Sequence, residues 1–151
     1  MPTADKQLVL YKDKYRSQII ELWEKSVRAT HHFLHPVDID YYKDLVEQID
    51  FTLFPVYCLV SNERVLGFIG VHENKVEMLF LDPSFIGKGY GKRMMKFAMS
   101  DLDATKVDVN EQNTSAVAFY LSLGFVVVER NNKDSEGRPY PILKLKLETR
   151  D

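Results

Sequence analysis

The sequence predicts a single α/β domain, a mixed and mostly antiparallel sheet of about seven strands flanked by helices, in the order β-α-α-β-β-β-α-β-α-β-β. Three observations predict it. Two segments near the start carry apolar residues at helical spacing. Three β-rich runs follow, with four-residue polar connections between them, and after a glycine-rich turn helix and strand patterns alternate to the end. At 151 residues, with 45% hydrophobic and 28% charged, the chain (residues 1–151) has the size of one domain and the composition of a protein that buries a core.

Leu8, Val9, Leu10 and Tyr11 form a short apolar run that stops at Lys12-Asp13-Lys14, a first strand leading into a helix. Over residues 15–29, Ile19, Leu22, Trp23 and Val27 share one helical stripe and face the core. Asp38 is the expected N-cap of a second helix reaching about Phe54, with Tyr42, Leu45, Val46 and Ile49 at helical spacing and Pro55 ending it. Residues 56–60, 65–71 and 76–81 read as strands, and the short connections Ser61-Asn62-Glu63-Arg64 and His72-Glu73-Asn74-Lys75 favour antiparallel neighbours. Asp82-Pro83 breaks the third of them, and Met94, Met95, Ala98 and Leu102 mark a helix opening at Gly91. Residues 106–109 read as a strand, 115–123 as a helix closed by Gly124, and 125–129 as a strand. In the last strand Leu143, Leu145 and Leu147 alternate with Lys144 and Lys146, one face buried and one wet. Residues 131–141 form the one long loop, carrying Asp134, Glu136, Arg138 and Tyr140; a loop of this length is either functional or a solvated connection.

A net charge of −2 without any run of Lys or Arg gives no support to broad nucleic-acid binding. The least polar stretch, residues 51–60, holds a proline and falls far short of the ~20 apolar residues of a membrane helix, so no membrane partner is expected. The start Met1-Pro2-Thr3-Ala4-Asp5-Lys6 has no apolar signal-peptide core, and the single cysteine, Cys58, cannot form an internal disulfide; both point to the cytoplasm. Cys58 alternates with Val56 and Val60, the pattern of a buried inert thiol. His31, His32 and His35 are imidazoles in one loop, but Cys58 and His72 lie in unrelated strands, so no metal is expected.

The segment richest in chemistry is Leu81-Asp82-Pro83-Ser84-Phe85-Ile86-Gly87-Lys88-Gly89-Tyr90-Gly91-Lys92. Alternate glycines let a backbone approach a ligand closely, and the helix beyond points unpaired N–H groups and its positive end into the same space. Lys88 and Lys92 add charge. This describes a cradle for phosphate or pyrophosphate, or alternatively a plain strand-to-helix turn. Counting excludes two phosphate motifs. A P-loop ending at Gly91-Lys92 would place Ile86 at its first glycine and Arg93 at its hydroxyl, and a dinucleotide fingerprint would need glycine at Lys92 or Met94.

The same segment resembles the signature of the GNAT acyltransferase superfamily, a hydrophobic-Asp-Pro step followed by Arg/Gln-x-x-Gly-x-Gly/Ala and a helix, here Ile86-Gly87-Lys88-Gly89-Tyr90-Gly91. It departs from the pattern at Ile86, where the family has Arg or Gln, which leaves the backbone cradle intact. The resemblance continues through Asn110-Glu111-Gln112-Asn113-Thr114-Ser115-Ala116-Val117-Ala118-Phe119-Tyr120-Leu121-Ser122-Leu123-Gly124-Phe125, similar to the family's asparagine, tyrosine and Leu-Gly-Phe segment. It implies a GNAT-type fold and an N-acetyltransferase that uses acetyl-CoA as donor. Ile86, Gly87, Lys88, Gly89, Tyr90, Gly91 and Lys92 would hold the pyrophosphate, the backbone of Met78, Leu79, Phe80 and Leu81 would pair with the pantetheine arm, and Asn113 and Tyr120 would complete the site.

On helical geometry alone Tyr120 is a core residue; the resemblance implies a proton donor to the departing thiolate. Glu77 is an acid in an apolar strand, with Leu79 and Leu81 on its face and Val76, Met78 and Phe80 on the other. It is either a carboxylate in water or a base that takes a proton from the attacking amine. His31, His32 and Phe33, between the first two helices, are expected at the acceptor pocket or in an ordinary capped loop. The acceptor expected is a small-molecule amine, a protein lysine or an N-terminal amine, and the protein a monomer or homodimer. Two rivals are a non-catalytic sensor of CoA or a nucleotide phosphate, which needs neither Tyr120 nor Glu77, and an interaction domain, which leaves the glycines unexplained.

Overall fold

The computed structural model describes residues 6–148; residues 1–5, and with them the reading of the chain's start, lie outside the described residues. The elements run β1 (Gln7–Leu10), a 3-10 turn (Asp13–Tyr15), α1 (Arg16–Thr30), α2 (Pro36–Val46), β2 (Val56–Ser61), β3 (Arg64–His72) and β4 (Lys75–Leu81). A second 3-10 turn (Pro83–Phe85), α3 (Tyr90–Asp101), β5 (Lys106–Asn110), α4 (Thr114–Ser122), β6 (Phe125–Asn131) and β7 (Ile142–Leu147) complete them. This is the element order expected from the sequence.

One seven-stranded sheet takes the order β1-β2-β3-β4-β5-β7-β6. All its pairs are antiparallel except β4 with β5, which are joined by a crossover through α3. The β2–β3 and β3–β4 connections are two-residue hairpins with positive φ at both central residues, Asn62 and Glu63 in one, Glu73 and Asn74 in the other, the handedness that matches strand twist. The sheet has a core on each face. Under α1 and α2, Ile19, Leu22, Trp23 and Val27 meet Val56, Cys58, Phe68 and Met78. Under α3 and α4, Met94, Met95, Ala98 and Tyr120 meet Leu59, Ile69, Val107 and Leu145.

Two local expectations are corrected. Helix α2 begins at Pro36, not beyond Asp38, because His35 is the N-cap: its Nδ1 accepts from the Val37 N–H at 3.2 Å, and proline at the first helical position needs no N–H partner. The same helix stops at Val46 instead of reaching Phe54; beyond it the Asp50 carboxylate takes both the N–H and the hydroxyl of Thr52, a local turn that competes with helix.

The second correction lies in β4. Its register against β3 shifts by one between Gly70 and Val71, so Glu77 is an extra residue with no partner across the ladder. Strict alternation would put Val76 with Met78 and Phe80. The bulge instead sends Val76 to the α3 side with Leu79 and Leu81, while Met78 and Phe80 face α1 and Glu77, expected on the Leu79 and Leu81 face, lies beside Lys75 on the α1 side. At the far end of the strand Gly67 lets β3 press against β4: a Cβ there would stand 2.8 Å from Leu81 Cδ2 and 2.9 Å from the Phe80 carbonyl oxygen.

Candidate active site

Strands β4 and β5 pair only through Lys75 with Lys106 and Val76 with Val107, then separate. Residues 78–81 stay bonded to β3 on one side, and β5 continues on β7 through Asn110. Inside the sheet, therefore, alternate N–H and C=O groups of Met78, Leu79, Phe80 and Leu81 have no strand beside them. Main-chain polar groups facing such an opening need partners from outside the sheet, and an extended chain with amide groups laid along β4 would supply them. Where the strands separate, Lys75 reaches diagonally to Asp108 on β5 at 2.7 Å.

At the open end, β4 runs into the cradle segment. The Asp82 carboxylate, 5% exposed, accepts from the N–H and hydroxyl of Ser84 at 3.0 and 2.7 Å and pairs with Lys25 on α1 at 3.3 Å and Arg64 on β3 at 3.1 Å. Burial acts to raise its pKa, but these hydrogen bonds and the Lys25 charge outweigh it and hold the carboxyl down to about 2. Asp82 thus nails the end of β4 to two other elements and sets the turn that leads onward.

Beyond that turn, Gly87 and Gly89 have φ of +82° and +88°, and a Cβ on either would meet no atom within 4 Å, so both line open space in a conformation costly for other residues. Helix α3 starts directly after Gly89 with no side-chain cap and no acidic residue in its first turn; its first intrahelical bond is Arg93 N–H to the Gly89 carbonyl, 3.0 Å. The N–H groups of its first turn are left for something outside the helix, and that end carries partial positive charge. Lys88 stands 5.5 Å from the Phe85 ring centroid, Lys88 and Lys92 are exposed, and Ile86, 48% exposed, brings no polar group. Gly91 serves a different end, since a Cβ there would face the Phe119 ring of α4 at 3.6 Å.

On the far arm, Asn113 is the N-cap of α4, its Oδ1 accepting from the Ala116 N–H at 3.3 Å. Tyr120 is 7% exposed, set edge-on to Phe119 and Phe125, and burial pushes its phenol above the usual tyrosine range. It therefore keeps its proton at neutral pH, as an acid must. Asn110 adds a group not singled out from sequence: its Oδ1 is buried without a hydrogen-bond partner at the end of β5. No spacing rule finds such an atom, because its isolation arises only once β5 has left β4.

On the α1 side, Glu77 is exposed at the bulge, 4.0 Å from Lys75 Nζ. His31 and Phe33 lie together, ring centroids 5.3 Å apart, whereas His32 is exposed and His35 is used as a cap. The Thr30 hydroxyl donates its only hydrogen to the Ser26 carbonyl at 2.7 Å, so toward His31 Nδ1, 2.8 Å away, it can only accept. His31 is thereby fixed with hydrogen on Nδ1 and a bare Nε2. Burial, aided by the neighbouring His32, holds its imidazole down to about 4. Burial also pushes the Cys58 thiol up to about 12, the inert thiol its alternation predicts.

Known proteins resemble this chain in sequence and fold. A family profile described as an acetyltransferase (GNAT) domain matches residues 21–142. The chain is 36% identical over 131 residues to the peptidyl-lysine N-acetyltransferase YjaB of Salmonella typhimurium, covering 85% of this chain and 88% of that protein. It is 34% identical over 129 residues to the YjaB of Escherichia coli, covering 85% and 87%. The solution structure of apo-form YjaB from Escherichia coli superposes with a TM-score of 0.85 over 94% of this chain and 97% of that one, at 31% identity. The PaiA N-acetyltransferase of Thermoplasma acidophilum, in complex with coenzyme A, shares the fold at a TM-score of 0.72 and 19% identity, over 94% and 99% of the two chains.

The His31 environment predicts a contribution to acid stability. Between the ordinary value of 6.5 and about 4, the unfolded chain binds a proton at His31 that the folded chain refuses, so this residue's contribution to stability falls as pH drops through that window. In thermal unfolding, His31→Asn should therefore lose less Tm than the parent between about pH 7 and about pH 5. An equal loss in both would show that the imidazole is not held neutral.

Proposed function

From the premise that the chain belongs to the GNAT acetyltransferase family, we propose that it moves an acetyl group from acetyl-CoA to a lysine amine of a polypeptide by direct attack. The observation that carries the reading is the open strand β4 leading straight into an uncapped, carboxylate-free helix start behind Gly87 and Gly89. These groups fit an amide-bearing arm that ends in a pyrophosphate. The pyrophosphate would rest on residues 86–92 and the pantetheine amides on the backbone of residues 78–81, with the orphaned Asn110 Oδ1 free to accept an N–H. The names of the curated relatives support a peptidyl lysine over a small amine. They also favour an enzyme over a sensor. A cytoplasmic setting accords with the unpaired Cys58.

The amine arrives mostly protonated and must lose a proton before it can attack. Glu77, exposed on the α1 side of the sheet, takes that proton directly or through water. The nitrogen lone pair then forms the N–C bond, backbone N–H groups near Leu79 stabilise the charge on the carbonyl oxygen, and the C–S bond breaks. The nitrogen loses its second proton to solvent, and Tyr120 gives its own to the departing thiolate.

Three variants divide these roles. Gly89→Asp puts a side chain and a negative charge into the cradle at a positive φ, and calorimetry should find coenzyme A binding abolished while circular dichroism keeps its folded form; unchanged affinity would remove the cradle reading. With acetyl-CoA and lysine peptides in a thiol-release assay, Glu77→Gln should slow turnover most near neutral pH and least in alkali, where the amine needs no base; a parent-like profile would hand that role to water. Tyr120→Phe keeps the ring and its packing, so Tm and acetyl-CoA affinity should barely move while CoA release slows on the order of 10²-fold or more. Full activity there would leave Tyr120 as a wall of the site.

A further inference from the structure

The loop between β6 and β7, though mostly exposed, is held by its own contacts. Asp134 Oδ1 accepts from the N–H groups of Glu136 and Arg138, both at 2.9 Å, which gives the loop its own frame. From that frame its side chains grip α2. Tyr41 donates to Glu136 at 2.6 Å, Tyr42 donates to Asp134, and the Arg138 guanidinium sits 3.8 Å from the centroid of the Tyr41 ring. Asp38 receives Arg138 Nε at 2.9 Å on one oxygen and the Tyr140 hydroxyl on the other.

Tyr140 joins the two sides of the site. It is 7% exposed; its hydroxyl donates to Asp38 and accepts from the His35 N–H at 3.0 Å, and its ring stands edge-on to Phe33 at 6.3 Å. One residue on, the Pro141 carbonyl accepts from the Glu111 N–H at 2.9 Å, immediately past the end of β5. A single side chain therefore ties the segment carrying His31 and Phe33 to the strand arm that bounds the opening.

We propose that Tyr140 is a positioning residue for the acceptor: its hydroxyl holds the α1–α2 segment against the β5–β7 arm, so that an amine entering between them meets the thioester at a fixed distance. The proposal rests on the transferase reading above and goes beyond it, since it assigns the acceptor side to a residue outside the cofactor cradle and outside every motif. An acceptor segment already held in its bound position needs no ordering when the amine enters, so a lock of this kind is felt in the KM for the acceptor even without touching it.

Tyr140→Phe keeps the ring against Phe33 and removes both hydroxyl bonds. With a terminally blocked peptide bearing one lysine, the KM for peptide should rise on the order of ten-fold while the KM for acetyl-CoA stays within about two-fold. Asp38→Asn still accepts from the tyrosine hydroxyl but loses its charge toward Arg138, and should give a smaller rise in the same constant. Amide hydrogen exchange supplies a readout independent of turnover: in Tyr140→Phe the His35 amide should exchange faster, and the amides of α3 should not. An unchanged peptide KM in the folded variant, a parallel rise in the acetyl-CoA KM, or a His35 amide exchanging at the parent's rate would each overturn the lock while leaving the transferase reading intact. A parent that releases no CoA with any amine would remove both.

Discussion

Strands β4 and β5 bond over two residue pairs and then diverge, which leaves unpaired main-chain groups in the interior of a sheet instead of at its edge. Much of the surrounding structure serves that separation. On one side β4 is clamped to β3, closely enough that only glycine fits at position 67; on the other β5 is paired along its whole length with β7. The Lys75–Asp108 pair braces the point of divergence, and Asp82 fixes the open end of β4 through α1 and β3. These attachments hold the two strands apart beyond their two paired residues.

The two faces of the opening have different chemistry because the two cores under the sheet are built from different helices. The α3–α4 face presents bare helix N–H groups, glycines and the buried Tyr120 phenol, suited to a donor rich in phosphate. The α1–α2 face presents Glu77, a neutral His31 and an aromatic wall of Phe33 and Tyr140, suited to an amine on an aliphatic stem. In the proposed reaction the two substrates would meet where the sheet itself is missing, approaching from opposite sides without competing for space.

The element order, the glycine-rich turn and the helix that follows it were legible in the sequence because each depends on local spacing: a helical stripe, a hairpin connection, glycines next to a helix. What escaped depends on contacts between distant segments. Strict alternation cannot reveal the Glu77 bulge, which exists only as a mismatch between two strands, and it misassigned the faces of Val76 and Glu77 in consequence. Asp38 has the composition of a helix cap, yet Arg138 and Tyr140 claim it and His35 caps in its place. Asn110 reads as an ordinary strand end until β5 leaves β4 and isolates its oxygen.

The clasp between α2 and the β6–β7 loop joins residues 100 and 102 positions apart in the chain, Asp38 to Arg138 and Asp38 to Tyr140. Closing so long a loop costs conformational entropy that no local contact repays. During synthesis α1, α2 and the β2–β3–β4 meander emerge first and can pack, but α2 has no partner for Asp38, Tyr41 or Tyr42 until residues 134–140 are made. The wall proposed to orient one substrate is thus assembled only as the chain nears its end, and a ribosome-bound chain stalled before Asp134 would lack both that wall and β7, the strand that holds β5 away from β4.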